Sequence, residues 1–251
     1  HEPTSFLSAR RPDVENRILP ATWRENGVGV FGSLGDQVEY KAYVVNGLEG
    51  EDFSASGLRG GRQKGSKAKA DDLAGVLRLD YRPVTSLLVG GSVYYGDSGQ
   101  DLSADVTTAI VEAHLDWRWR GLQLRALATV AQLDDVEELN RLGNPDTPDS
   151  EIDSVGEELW GWYAEVGYDV LNRVNAGEMS LSPFVRYEQY DTQAEVPDGF
   201  AASGKHDVTV VTVGVNLKPI DEIVFKADYQ FYDDDAGERD DQFNLAMGYV
   251  F

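Results

Sequence analysis

The sequence predicts an all-β fold, a transmembrane antiparallel up-and-down β-barrel, from three observations. About eleven segments alternate apolar and polar residues with a period of two, and no helical period competes with them. Bulky aromatics gather near the ends of these segments, as at Trp117 and Trp119, Trp160 and Trp162, and Tyr249 and Phe251. Short and long connections alternate along the chain, as they must when a meander passes between two rims.

The strands are expected near 27–34, 38–47, 73–82, 86–96, 107–118, 122–133, 158–170, 180–190, 207–217, 222–232 and 241–251. Successive side chains of a strand point to opposite faces, so each segment divides into two lists. One face is free of charge: Leu77, Leu79 and Tyr81, then Val111, Ala113, Leu115 and Trp117, then Ile223, Phe225, Ala227, Tyr229 and Phe231. The other carries Arg78, Asp80, Arg82, Glu112, His114, Asp116, Arg118, Arg125, Arg186, Glu188, Lys226 and Asp228. An apolar outside around a charged inside inverts a soluble barrel. A soluble sandwich also alternates, but it gives no reason for aromatics to collect at strand ends.

The last strand is the clearest, because Phe243, Leu245, Met247, Tyr249 and Phe251 alternate with small or polar residues. Counting back from it, the short links fall near 218–221, 171–179, 119–121, 83–85 and 35–37. The long ones, 48–72, 97–106, 134–157, 191–206 and 233–240, all fall on the opposite, extracellular rim. Residues 1–26 then lie on the extracellular side and lead into a barrel region over 27–251.

Composition narrows the function classes. The chain has 251 residues and no Cys, so neither disulfides nor thiolate metal ligands are available. A mean hydropathy of −0.38 and the lack of a run of about 18 apolar residues exclude a membrane helix but not strands, which cross in about 9–11 residues. The net charge of −22 speaks against nucleic acid, whose phosphates need clustered Lys and Arg. Acidic residues between 134 and 158 and between 233 and 241 read as solvated loops, with Ca2+ or Mg2+ bridging to anionic outer-leaflet lipid and lipopolysaccharide as the sharper alternative. The basic stretch from Arg59 to Lys69 reads as a mobile loop tip, the alternatives being contact with lipopolysaccharide phosphates or recruitment of anionic solutes. The chain begins at His1 without a secretory signal, which reads as a mature or trimmed product.

No catalytic or metal-binding constellation is expected. Of the three His, at 1, 114 and 206, only His114 falls on the charged face, and no Ser sits in a nucleophile elbow. No His, Asp and Glu group has metal-ligand spacing, and the Gly60-Gly61 and Gly90-Gly91 pairs lack a phosphate-loop setting. No cofactor is expected.

The stretch from His1 to Pro12, the stretch from Ile18 to Gly32 and the terminal strands resemble outer-membrane porins of the phosphate-selective porin O/P type. Arg24, Gly27, Val28 and Gly32 match the "Arg-x-x-Gly-Val-x-x-x-Gly" pattern at a strand start in that family. The resemblance implies a trimeric barrel of about sixteen strands in the bacterial outer membrane, with the third extracellular loop folded into the lumen. Residues 1–26 would be the end of that loop, the strand at 27–34 would fall sixth, and the first strands would lie outside this chain. The implied function is a water-filled channel for passive diffusion of small hydrophilic solutes or ions, anions such as phosphate among them.

In that setting Arg78, Arg82, Arg118, Arg125 and Arg186 form a basic wall, and Arg10, Arg11, Arg17 and Arg24 are constriction candidates; for any one of them a structural ion pair is the plainer role. Residues 1–26 hold no Lys, whereas phosphate-specific members cluster Arg with Lys, so general diffusion with mild charge preference is the expectation. The alternative is a structural barrel that houses a partner protein, such as an electron carrier.

Overall fold

The computed structural model describes residues 6–65, 68–143, 154–174 and 177–250. Eleven strands form a single sheet in chain order: β1 (Gly27–Leu34), β2 (Val38–Asn46), β3 (Leu73–Val84), β4 (Leu87–Asp97), β5 (Thr107–Trp119), β6 (Leu122–Leu133), β7 (Glu158–Tyr168), β8 (Ser180–Glu195), β9 (Asp207–Ile220), β10 (Ile223–Asp234) and β11 (Gln242–Tyr249). Every neighbouring pair is antiparallel. This is the expected up-and-down all-β fold. Phe251, on which the terminal-aromatic reading rests, lies outside the described residues.

The registers place like with like. Leu79 stands opposite Tyr40 and Gly91, while Asp80 stands opposite Glu39 and Gly90. A slip of one residue would turn both faces over, so this register is strongly specified. The outward side chains are large, apolar and exposed: Leu77 is 47% accessible, Phe231 47%, Leu245 72% and Met247 72%. Such a belt over the whole sheet is far beyond the apolar surface a water-soluble monomer shows. No helix among the described residues is long and apolar enough to cross a membrane.

Short turns all join the same rim. Arg120 and Gly121 both have positive φ, 49° and 85°, the signature of a two-residue type I′ hairpin turn between β5 and β6. Pro83 sits in β3 where the pairing with β4 is irregular, between Tyr81 and Val84, which suits a residue with no N–H.

Three expectations about the long loops change. The acidic loop after β6 contains a helix, α2 (Val136–Gly143), and β8 runs to Glu195, beyond the expected 190. Tertiary partners explain the extension: Thr192 donates to the Ala55 carbonyl at 2.5 Å, and Gln193 donates to the Ser154 carbonyl. The loop after β2 is also not a free tip. Leu48, Phe53 and Leu58 are buried, and they join Val136, Leu139, Val155, Leu159 and Val208 in one apolar cluster inside the long-loop end. Arg59 and Arg62 in that loop are tied down as described below, while residues 66–67 lie outside the described residues.

Candidate functional site

The site is built by residues 6–26, which run across the inner face of the sheet. Their one regular element is a single turn, α1 (Val14–Arg17); its Val14 and the following Ile18 are fully buried in the apolar cluster. Elsewhere the segment has few backbone partners, such as Ala21 N–H on the Glu15 carbonyl and Asn46 N–H on the Asn26 carbonyl, and side chains of the wall supply others. Lys226 Nζ donates to the carbonyls of Phe6 and Ser8 at 2.7 and 3.0 Å, and Asn216 Nδ2 donates to that of Leu7 at 3.0 Å. Arg186 donates to Ser8 Oγ at 2.6 Å, while Asp228 and Glu188 accept from the amides of Ala9 and Val14. Tyr163 donates to Glu15 at 2.7 Å, Tyr232 donates to Asp13, and Arg10 donates to Gln242 on β11. Backbone groups buried away from water need such partners, so the inner wall must be polar where the segment crosses it.

From the other side, the loop after β2 clamps the segment. Arg59 donates to Asn16 Oδ1 at 2.9 Å and to the Ala21 carbonyl, and Arg62 donates to the same carbonyl at 2.5 Å and to Thr22. Burial, and then the neighbouring Arg59, hold the Arg62 guanidinium below its ordinary pKa. Gly57 lies so close to the Arg17 carbonyl that a Cβ would come within 2.2 Å of it. Lys69 bridges Glu49 at 2.5 Å and Asp101 at 2.6 Å; those bonds, to Asp101 first, raise its pKa, and Lys69 in turn lowers that of Asp101.

The strands β7–β10 and β11 hold one side of the segment, and the Trp23 ring reaches Tyr94 of β4 with centroids 4.9 Å apart. The sheet therefore wraps around it. Between the segment and β3–β7 a recess of about 340 Å³ remains, lined by Arg11, Glu15 and Trp23 on the segment and by Arg78, Asp116 and Arg125 on the wall.

The sequence-predicted residues fall into three groups. Arg78, Glu112, His114, Asp116 and Arg125 line the recess, and Arg78 Nε pairs with Asp80 at 2.9 Å. His114 is held between two carboxylates, Nδ1 at 2.6 Å from Glu112 and Nε2 at 3.0 Å from Asp80, with an Arg78 nitrogen 2.9 Å from Nε2. Gly90 makes this cluster fit, because a Cβ there would meet Asp80 Oδ1 at 2.4 Å and the His114 ring at 2.7 Å. Ser92 donates to Glu112 and not to the imidazole, so the geometry is not that of an activated serine. Nearer the short-turn rim, Arg118 and Arg125 share Asp116 at 3.1 and 3.7 Å, and Arg82 faces Glu39 at 4.0 Å.

The second group faces inward but is covered. Arg186 and Glu188 are 1% and 0% exposed, and Lys226 and Asp228 are buried too, because the segment lies on them. They hold the segment; they do not form a wetted wall. The third group is the four arginines expected at a constriction. Only Arg11 lines the recess; Arg10 turns to β11, Arg17 is half-buried beneath Gly57, and Arg24 is exposed ahead of β1. Glu15 and Tyr163 were missed by sequence reasoning, although Tyr163 stands on the charged face between the outward Trp162 and Ala164, a position periodicity alone would have marked.

Among the described residues no group of three or more His, Asp or Glu side chains could hold a metal ion, and residues 144–153 of the acidic loop lie outside them.

The likeness of this sheet to solved structures decides the architecture. Over 92% of the chain it superposes on 64% of a porin refined at 1.8 Å resolution, with a TM-score of 0.53 at 14% identity. The fold is that of a porin wall. A BenF-like porin from Pseudomonas fluorescens Pf-5 gives a TM-score of 0.50 at 10% identity, covering 92% of this chain and 56% of that one. In sequence, the chain is 32% identical over 256 residues to an uncharacterized protein of Aquifex aeolicus (strain VF5), an alignment taking in all of this chain and 58% of the relative. No family model matches. The chain thus spans less than two thirds of each of these proteins, and the narrower O/P type rests on the N-terminal residues quoted above.

Proposed function

We propose that the chain forms the larger part of a bacterial outer-membrane channel for passive diffusion of small hydrophilic solutes. The observation that carries this reading is the segment 6–26, pinned across the inner face so that, beside the apolar cluster that anchors Val14 and Ile18, a charged recess remains between it and β3–β7. Outside, the apolar belt meets lipid; inside, paired Arg and carboxylate side chains keep the passage wet and set a transverse field across it.

Charge preference in this reading is mild. Arg78 pairs with Asp80, and Arg118 and Arg125 share Asp116, which leaves Arg11 as the recess arginine with no ion pair among the described residues. Phosphate selectivity draws no support from such a balanced lining, and a catalytic role draws none from the His114 cluster. Assembly as a homotrimer follows from the family resemblance alone, as does contact with lipopolysaccharide at the long-loop rim.

Planar-bilayer conductance of the purified full-length protein under a KCl gradient tests the reading. Stable ohmic steps with a small reversal potential are expected. Folded protein that gives no steps would defeat it and favour a barrel that houses a partner.

A further inference from the structure

We propose that the inner wall beside the short-turn rim carries a binding niche for a small anion, distinct from the recess beneath the segment. Here β5, β6, β8 and β9 surround a cavity of about 310 Å³ lined by Arg118, Lys218, Gln123, Asn216, Ser180 and Ser182. The register brings them together: Arg118 stands opposite Gln123, Ser180 opposite Lys218, and Ser182 opposite Asn216. Directly opposed residues lie about 5 Å apart, close enough for several to reach one ligand of a few atoms.

The lining is rich in donors. Three side chains, Arg118, Arg120 and Lys218, are cationic, and Gln123, Ser180 and Ser182 bring N–H or O–H groups, while Asn216 Nδ2 is taken by the carbonyls of Phe6 and Leu7. Gln123 Nε2 is buried with no acceptor in the protein, a condition that costs free energy unless something accepts from it. The lining holds one carboxylate, Asp169, whose Oδ1 accepts from the amides of Leu171 and Leu181 at 3.0 Å each. Arg118 keeps two nitrogens on Asp116, at 3.1 and 3.3 Å, which fixes the guanidinium without using all its donors. Leu7 of the inward segment roofs the cavity; at Gly167 a Cβ would come 2.5 Å from Leu7 Cδ1 and would push that side chain aside. An anion is the ligand such a lining recognises, because three cationic side chains and further N–H and O–H donors face a single carboxylate.

The niche rests on the channel reading, as a stop for anions passing the short-turn rim, and its test separates the two. Sulfate is titrated calorimetrically into the detergent-solubilised full-length protein, and KCl conductance is recorded from the same preparation. Saturable sulfate binding is expected, weakened about tenfold or more in Lys218→Met and in Gln123→Leu as the charge-assisted and amide donors are lost, with conductance steps retained. No saturable binding to folded protein, or variants that bind sulfate as the original does, overturns the niche. Sulfate binding without conductance upholds the niche and defeats the channel.

Discussion

Arg186 shows how one residue fixes the lumen. It is 1% exposed, lies 3.4 Å from Glu165 and 3.8 Å from Glu188, and donates to Ser8 of the segment. Breaking a buried charge pair by removing one partner costs about 3–5 kcal/mol. Arg186→Met should therefore lower the urea midpoint of the detergent-solubilised protein and expose Arg10 and Arg11 to trypsin; an unchanged cleavage pattern would refute its role in holding the segment. Gly90→Ala makes a second residue-scale prediction. The added methyl would enter the space of Asp80 and His114, and overpacking of this kind costs about 1–3 kcal/mol, read as a lower thermal midpoint and a changed single-channel conductance.

At the scale of elements, turns and loops behave differently. Gly121 at φ 85° lets β5 turn directly into β6, so Gly121→Val should destabilise by about 1–3 kcal/mol through backbone strain, measured by heat-modifiability on gels. The extracellular ends are governed by charge. Burial, and then Glu195, Asp198, Asp134 and Glu137, raise the pKa of Glu157 above its ordinary 4.5. A carboxyl raised on folding binds its proton more tightly in the folded chain, so its contribution to stability is present at low pH and is lost as pH rises through the raised value. Glu157→Gln should flatten the fall of the thermal midpoint over that range, and parallel curves for the two proteins would contradict it. The bridge from Lys69 runs the other way on its acid side: the depressed Asp101 keeps it intact at neutral pH and loses it on acidification.

For the whole molecule, the apolar belt and the polar interior make one prediction together. Under the proposed membrane placement, Leu79→Arg puts a charge on the lipid face of β3 and should cost about 2–4 kcal/mol near the bilayer midplane. A charge at the adjacent inward position is native, as Asp80 shows. Equal folding yields into lipid vesicles for Leu79→Arg and the original protein would count against the membrane placement.

By itself the sequence determined the strands, their order and which residues face inward, because a period of two is a local property that follows from backbone geometry and needs no knowledge of neighbours. All eleven strands fall where alternation placed them, and the long and short connections lie on opposite rims. What only tertiary structure decided is which inward residues meet water. Lys226, Asp228, Arg186 and Glu188 carry the same pattern as Arg78 and Arg125, yet the segment 6–26 lies on the first four and stands off from the other two. The same holds for the loop after β2, whose Arg59 and Arg62 read as a mobile tip until Ala21 and Thr22 are brought beneath them. Those contacts join residues about 40 positions apart, and periodicity does not reach beyond the element that carries it.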